Sequence, residues 1–140
     1  MMQRLATMAA LSVLVLAVGS ARADDQEKIQ GIWKPEKAVK GGMAMPAEEL
    51  EKMSIEFKGN KAMPRHGDRQ EKEAEFTLDA TKKPKAIEIK APDGKTHQGI
   101  YEFDGDTLKI CFVEEGDRPT KFESAEGSRS MLIVLKRQKK

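Results

Sequence analysis

The sequence is poor in the residues that cross-link small proteins or bind metal ions. Cys111 is the only cysteine among 140 residues, so no disulfide can form within the chain and the fold must rest on packing. The two histidines, His66 and His97, lie far apart, and neither has further ligand residues at a suitable spacing. Surface or turn positions are expected for both. Because a metal site needs several ligands in fixed geometry, we predict no metal site and no cofactor.

Long apolar runs are also missing. The longest covers residues 5–18 and contains Thr7 and Ser12. A helix that spans a bilayer needs about 20 apolar residues. The run is therefore too short for a membrane anchor, and we predict no stable membrane insertion of the domain that follows it.

The same run has the organisation of a secretory signal. Arg4 precedes it, and Ala21-Arg22-Ala23 follows it with small residues at the positions that a signal peptidase reads. We predict that residues 1–23 are a signal peptide removed after Ala23. Residues 24–140 are then one exported domain, either periplasmic or secreted.

An excess of charge of either sign is absent from this predicted domain. Removal of Arg4 and Arg22 with the signal leaves 23 basic and 23 acidic side chains. A neutral domain has no overall field that would steer it onto nucleic acid. We therefore predict no nucleic-acid partner and interpret the basic residues at 136–140 as a solvated chain end.

Aromatic residues are few, at 5% of the chain, but all of them lie in the predicted domain. The abundant feature of this domain is short runs of apolar residues at alternate positions, which are typical of β-strands because successive side chains point to opposite faces. Pro46 followed by acidic residues favours a helix N-terminus, and we predict one short helix near residues 46–53. The alternation predicts eight strands, at residues 29–39, 54–58, 61–65, 71–78, 85–91, 96–103, 107–113 and 131–135.

Short turns join most of these strands. Asp104-Gly105 is the strongest hairpin signal, since glycine supplies the positive φ that a tight hairpin turn requires. Pro35 cannot donate a ladder hydrogen bond, so we expect an interruption or an edge in the first strand. Adjacent strands joined by tight turns pair antiparallel. We predict an all-β fold, a single antiparallel up-and-down barrel of about eight strands, with a β-sandwich as the alternative.

One face of the predicted strands carries the large apolar side chains. An eight-stranded barrel is wide enough either to be filled by side chains or to hold one small ligand. The size of the inward residues favours filling. The expected inward set is Trp33, Ile55, Phe57, Phe76, Leu78, Ile87, Ile89, Tyr101, Phe103, Leu108, Ile110 and Phe112. Its aromatic members, which would line a ligand cavity, are Trp33, Phe57, Phe76, Tyr101, Phe103 and Phe112.

Several motifs together resemble a known family. They include Gln30-Gly31-Ile32-Trp33, Lys83-Pro84-Lys85-Ala86-Ile87, Arg118-Pro119-Thr120-Lys121-Phe122 and Val134-Leu135-Lys136-Arg137. The combination is similar to a family of small exported lipocalin-like domains of unknown function that is abundant in planctomycete bacteria. The resemblance implies a barrel in which Gly31 and Trp33 begin the first strand and Arg137 from the last strand packs across the indole. It implies no ligand and no active-site residue.

No catalytic constellation is apparent, and we predict that the protein is not an enzyme. Cys111 has Lys109 nearby but no base or orienting group that would activate it. We interpret it as a half-buried structural thiol, with an intermolecular disulfide as the alternative. Asp104 and Asp106 are explained by the turn that they flank. Arg118 is expected to hold its loop against the barrel, and contact with an anionic ligand at the rim is the alternative.

Two functions remain open at this point. The first is binding of a small apolar or amphipathic molecule in the barrel, which needs a cavity of about 300 Å³ or more. The second is a solid-core structural or interaction protein that acts through its rim loops or a strand edge. The sequence does not identify a protein partner for this second function.

Overall fold

The computed structural model describes residues 25–138, so the predicted signal peptide lies outside the described residues. This part of the chain contains two short helices, α1 at residues 25–29 and α2 at Ala47–Glu51. None of its helices has the length and the apolar character needed to cross a membrane. Its ten strands are β1 Gly31–Lys40, β2 Met43–Ala44, β3 Met53–Lys58, β4 Lys61–His66, β5 Arg69–Gln70, β6 Ala74–Asp79, β7 Ala86–Lys90, β8 Thr96–Asp104, β9 Thr107–Val113 and β10 Ser130–Arg137.

Eight of these strands form a closed antiparallel ring. Their order is β10-β9-β8-β7-β6-β4-β3-β1, and β1 pairs with β10 to complete the circle. The two-residue strands β2 and β5 pair with β1 and β4 as additions to the ring. The predicted up-and-down barrel is thus confirmed and the sandwich alternative is wrong. Closure leaves the ring itself without an edge strand.

Alternation along the strands places one apolar face inside the barrel. Every residue of the expected inward set belongs to the core cluster, which Ile29, Ala62, Ile133 and Leu135 join. Trp33, Leu108 and Leu135 have no exposed surface, so no space as large as a water molecule adjoins them. Side chains therefore fill the interior at the level of these three residues.

A bulge in β1 changes which of its residues face inward. Pro35 is buried in the first half of the strand and Ala38 in the second half. The pairing with β10 skips one residue between Pro35 and Lys37, and one extra residue reverses the alternation from there on. The interruption expected at Pro35 is confirmed. As a result, Ala38 and Lys40 share a face with the inward residues of β10.

The chain enters the barrel through a helix. The prediction that the first strand begins at residue 29 is wrong, because Ile29 lies in α1 and β1 begins at Gly31. Gly31 has a φ of +117°, a conformation that side chains with a Cβ disfavour, and it turns the chain from α1 into β1. The helix predicted near residues 46–53 is confirmed as α2, with Leu50 as its buried residue.

Residues 114–129, which contain neither helix nor strand, cover part of the outer surface. Phe122 from this segment packs on Ile100, Cys111 and Leu132. These three residues lie side by side on β8, β9 and β10 and point away from the interior. The cover explains why Cys111 is fully buried instead of half-buried as predicted.

Candidate functional site

One end of the barrel is closed by α1 and by the last residue of β10. The guanidinium carbon of Arg137 lies 4.4 Å from the centre of the Trp33 ring. Its Nη1 donates to the carbonyl of Gln30 at 2.8 Å, and its Nη2 donates to the carbonyl of Lys28. Trp33 Nε1 donates to the carbonyl of Ile29 at 2.8 Å. Carbonyls at a helix C-terminus lack helical partners and attract a cation, so Arg137 fastens α1 across this sealed end.

Asp25 fastens the other end of α1 to the barrel wall. Its side chain is buried, and Oδ2 accepts hydrogen bonds from Tyr101 Oη at 2.7 Å and from Lys85 Nζ at 3.0 Å. A buried carboxylate is tolerated only with such partners. Burial, with the Asp25 carboxylate as a further cause, raises the pKa of Tyr101 above its ordinary value. The phenol therefore stays protonated and remains a donor to Asp25.

A cavity of about 400 Å³ opens beside the sealed end. It lies between residues 80–85 and the part of β8 that continues beyond its pairing with β7. Aromatic residues and lysines line the same space, and we call it the lysine cleft. Its partly exposed aromatic residues are Phe103 and Phe122, Tyr101 borders it with only 1% of its surface exposed, and its lysines are Lys82, Lys83 and Lys85.

The lysine cleft has an excess of positive charge. Lys85 is paired with Asp25, and Glu102 is the acidic residue in the lining. Within residues 25–138, Lys82 and Lys83 take part in no ion pair. The cleft therefore combines an apolar wall with two unpaired ammonium groups. This combination suits a molecule with an apolar body and a negative charge.

The opposite, open end of the barrel contains a second cavity, of about 290 Å³. Met131 precedes the inward-facing Ile133 by two residues and therefore lies on the same face of β10. Lys40 is paired with Met131 on one side and with Met43 on the other. These three residues therefore share the inner face at the rim of the barrel. We call the cavity the methionine cup. Its lining consists of Ala38, Lys40, Met43, Met45 and Met131.

The six aromatic residues predicted to line a ligand cavity are not gathered around one space. Tyr101 and Phe103 line the lysine cleft. Phe57 and Phe76 pack edge to face with ring centres 5.2 Å apart in the core. Phe112 lies near the open end, opposite Met131. Two members of the set therefore border the candidate site, and their role in binding stays a prediction.

The surface position expected for His97 is wrong. Its ring centre lies 5.9 Å from that of Phe112, and its Nδ1 is buried without a hydrogen-bond partner among the described residues. His97 precedes the inward-facing Gly99 by two residues on β8, so its ring faces inward near the open end. His66 is exposed, as expected, and lies 3.2 Å from Glu49. Across residues 25–138, no three metal-ligating side chains of the His, Cys, Asp or Glu type converge.

The contacts of Cys111, Arg118 and Gly105 are explained by the fold. The Cys111 thiol donates to the Glu123 carbonyl at 3.4 Å, and burial raises its pKa, so the reactive thiolate is disfavoured. Arg118 lies 3.4 Å from Glu88 on β7, which agrees with a role in holding its loop against the barrel. Gly105 has a φ of +60° in the turn between β8 and β9, and this confirms the predicted hairpin.

Comparison with family models, curated proteins and solved structures found no match for this chain. The resemblance to exported lipocalin-like domains therefore stays a prediction. The predicted site residues include Tyr101 and Phe103 but not the lysines of the cleft or Phe122. The run Lys82-Lys83-Pro84-Lys85 is the sequence signal that points to the lysines, whereas Phe122 lies in an irregular segment that has no periodic pattern.

Proposed function

We propose that the protein is an exported lipocalin-like domain that binds a small amphipathic anion in the lysine cleft. The supporting observation is that one cavity is bordered by the partly exposed Phe103 and Phe122 and by two lysines that form no ion pair within residues 25–138. The apolar body of such a ligand would lie against Phe103 and Phe122. Its acidic group would lie near Lys82 and Lys83. The proposed role is binding without chemical conversion of the ligand.

The size of the cleft supports a small ligand. Its volume of about 400 Å³ lies in the range of small-molecule sites, about 300–1,000 Å³. Apolar burial contributes roughly 25 cal/mol for each Å² removed from water, whereas an exposed ion pair contributes about 0.2–1 kcal/mol. Contact with the aromatic wall would thus supply most of the affinity. The lysines would select for the sign of the ligand's charge.

The alternative, a solid-core interaction protein, is favoured by the packing around Trp33, Leu108 and Leu135, which have no exposed surface. An interaction through a strand edge has little support. Among the described strands, those outside the closed ring are β2 and β5, each of two residues. The alternative therefore depends on the rim loops.

Two naphthalene dyes of similar shape test the proposal. One is the anionic 8-anilinonaphthalene-1-sulfonate and the other is the neutral N-phenyl-1-naphthylamine. We expect saturable binding of the anionic dye to one site per chain, followed by dye fluorescence. The Lys82→Gln/Lys83→Gln variant should weaken anionic-dye binding about fivefold, the effect of roughly 1 kcal/mol from two exposed charges. It should leave binding of the neutral dye unchanged.

A matched control removes the same charge elsewhere. Lys37 and Lys52 are exposed residues outside the lining of the cleft. The Lys37→Gln/Lys52→Gln variant should bind both dyes as the unsubstituted protein does. An equal loss of anionic-dye binding in the control, or no saturable binding of either dye, would contradict the proposal and favour the interaction protein.

A further inference from the structure

We propose that the methionine cup is a binding site for a soft monovalent metal ion, Cu(I), held by the thioether sulfurs of Met43, Met45 and Met131. The site lies at the open end, and it does not depend on the function proposed for the lysine cleft. Residues 25–138 contain five methionines, and three of them line this one cavity of about 290 Å³.

The β1–β2 hairpin and β10 bring the three side chains together. Met43 and Met131 both pair with Lys40, from opposite sides of β1, and directly paired residues share a face of the sheet. Their Cα atoms are therefore two strand spacings, roughly 10 Å, apart, within the combined reach of two long, flexible side chains. Met45 follows Met43 by two residues, and its amide donates to the Ala38 carbonyl at 2.8 Å, which holds the segment over the cup.

Core packing does not explain these methionines. The Met43 side chain is 78% exposed, and Met45 and Met131 are only half-buried. Single exposed apolar residues are ordinary, but here three thioethers border one space. Thioether sulfur is a soft, neutral ligand that selects Cu(I) over harder ions such as Mg²⁺ and Ca²⁺. The cup therefore offers the donor chemistry of a Cu(I) site.

The one positively charged residue in the lining of the cup is already paired. Lys40 lies in the lining between Met43 and Met131. Its Nζ lies 3.2 Å from Glu114 Oε1, so the bound ion would lie beside an ion pair of no net charge instead of a free ammonium group. Some repulsion should nevertheless remain, and we expect the Lys40→Gln variant to bind the ion more tightly than the unsubstituted protein.

The test is an anaerobic competition for Cu(I) between the protein and the chromophoric chelator bicinchoninate. Native mass spectrometry with Ag(I), which is soft and has no accessible redox step, gives the stoichiometry. We expect one ion per chain. Met131→Leu and Met43→Leu keep an apolar side chain of similar volume, and each should weaken binding at least about tenfold, the size that loss of even a supporting group has at metal sites. Met63→Leu, outside the cup on β4, should bind normally.

Other soft or nitrogen donors can be separated from the thioethers. The Cys111→Ala variant should retain the ion, because Cys111 lies on the outer face beneath Phe122. Binding should also be constant from about pH 8 to pH 5, since thioethers do not take up protons there, whereas a site with imidazole ligands would lose the metal at low pH. Loss of binding in Cys111→Ala, loss at low pH, no uptake of either ion, or a Met131→Leu affinity equal to that of the unsubstituted protein would overturn the proposal.

Discussion

Strand β10 runs from an open end, where Met131 is half-buried, to a sealed end, where Leu135 has no exposed surface. The same strands form both ends, but the ends differ in how their interior is covered. At the sealed end, α1 lies across the interior and Arg137 holds it. At the open end, the inward-facing Phe112 and Ile133 stay partly exposed.

The two ends differ in how completely their side chains are packed and in how fully their buried polar groups are hydrogen-bonded. Polar groups at the sealed end are satisfied in pairs, as the Asp25 carboxylate is by Tyr101 and Lys85. At the open end, Nδ1 of His97 is buried without a partner among the described residues. We therefore expect substitutions at the sealed end to cost stability and substitutions at the open end to be tolerated.

The largest effect is expected from replacing Leu135, near the sealed end of β10, and it is compared with the same change at Met131, near the open end. Leu135→Ala leaves a cavity in a fully packed region and should lower the free energy of unfolding by about 4 kcal/mol. Met131→Ala removes a half-exposed side chain and should cost about 1 kcal/mol. Urea denaturation followed by the fluorescence of Trp33 measures both. If both variants lost the same amount of unfolding free energy, the open end would be packed as tightly as the sealed end.

A somewhat smaller effect is expected at Arg137. Arg137→Ala removes the hydrogen bonds to the Lys28 carbonyl in α1 and to the Gln30 carbonyl just after it. It also removes the contact with the Trp33 ring, and should cost about 3 kcal/mol. The Trp33 emission should also shift to longer wavelength as water reaches the indole. The control is Lys136→Ala at the neighbouring exposed position, which should stay within about 0.5 kcal/mol of the unsubstituted protein. A similar loss in both variants would contradict the role of Arg137 at the sealed end.

The smallest effect is a loss of stability at alkaline pH. Burial, with Asp25 as a further cause, raises the pKa of Tyr101 in the folded protein. The protonated Tyr101 phenol therefore stabilises the folded protein fully below about pH 10, the ordinary pKa of tyrosine. This stabilisation is lost as the pH rises above that value. Between about pH 10 and pH 11, the protein should lose roughly 1 kcal/mol more than the Tyr101→Phe variant.

The absorbance of tyrosinate near 295 nm checks this directly, because Tyr101 is the only tyrosine. The folded protein should show no tyrosinate band at about pH 11, and the band should appear only as the chain unfolds. A band that follows the ordinary titration of tyrosine in the folded state would show that Tyr101 is open to solvent and that α1 does not seal its end of the barrel.

The interior of the barrel could be predicted because a strand alternates strictly between two faces. The spacing of Leu108, Ile110 and Phe112 predicts that they face inward, and all three lie in the core. The same rule extends two residues back from Gly99 to His97, so the inward position of His97 could have been found in the sequence. Gly41-Gly42, between β1 and β2, is likewise a hairpin signal that would have placed Met43 opposite Lys40.

The lysine cleft and the cover on the outer face could not be predicted in this way. The lining of the cleft brings Lys82 and Lys83 together with Phe122 from a separate segment, and no local pattern reports such a contact. Phe122 lies in an irregular segment, where neither a period of two nor one of 3.6 reveals which side of a residue is covered. Both features depend on where the closed ring places segments that are distant in sequence.

The pairing of β1 with β10 also has a consequence for the time at which the chain can fold. β10 is the last of the described strands in chain order, and until it is synthesised β1 and β9 each present an open edge. Open edges invite pairing with other chains, and contacts between strands that are distant in sequence form slowly. The ring can therefore close only after β10 has been synthesised, although its other seven strands precede β10 in the chain.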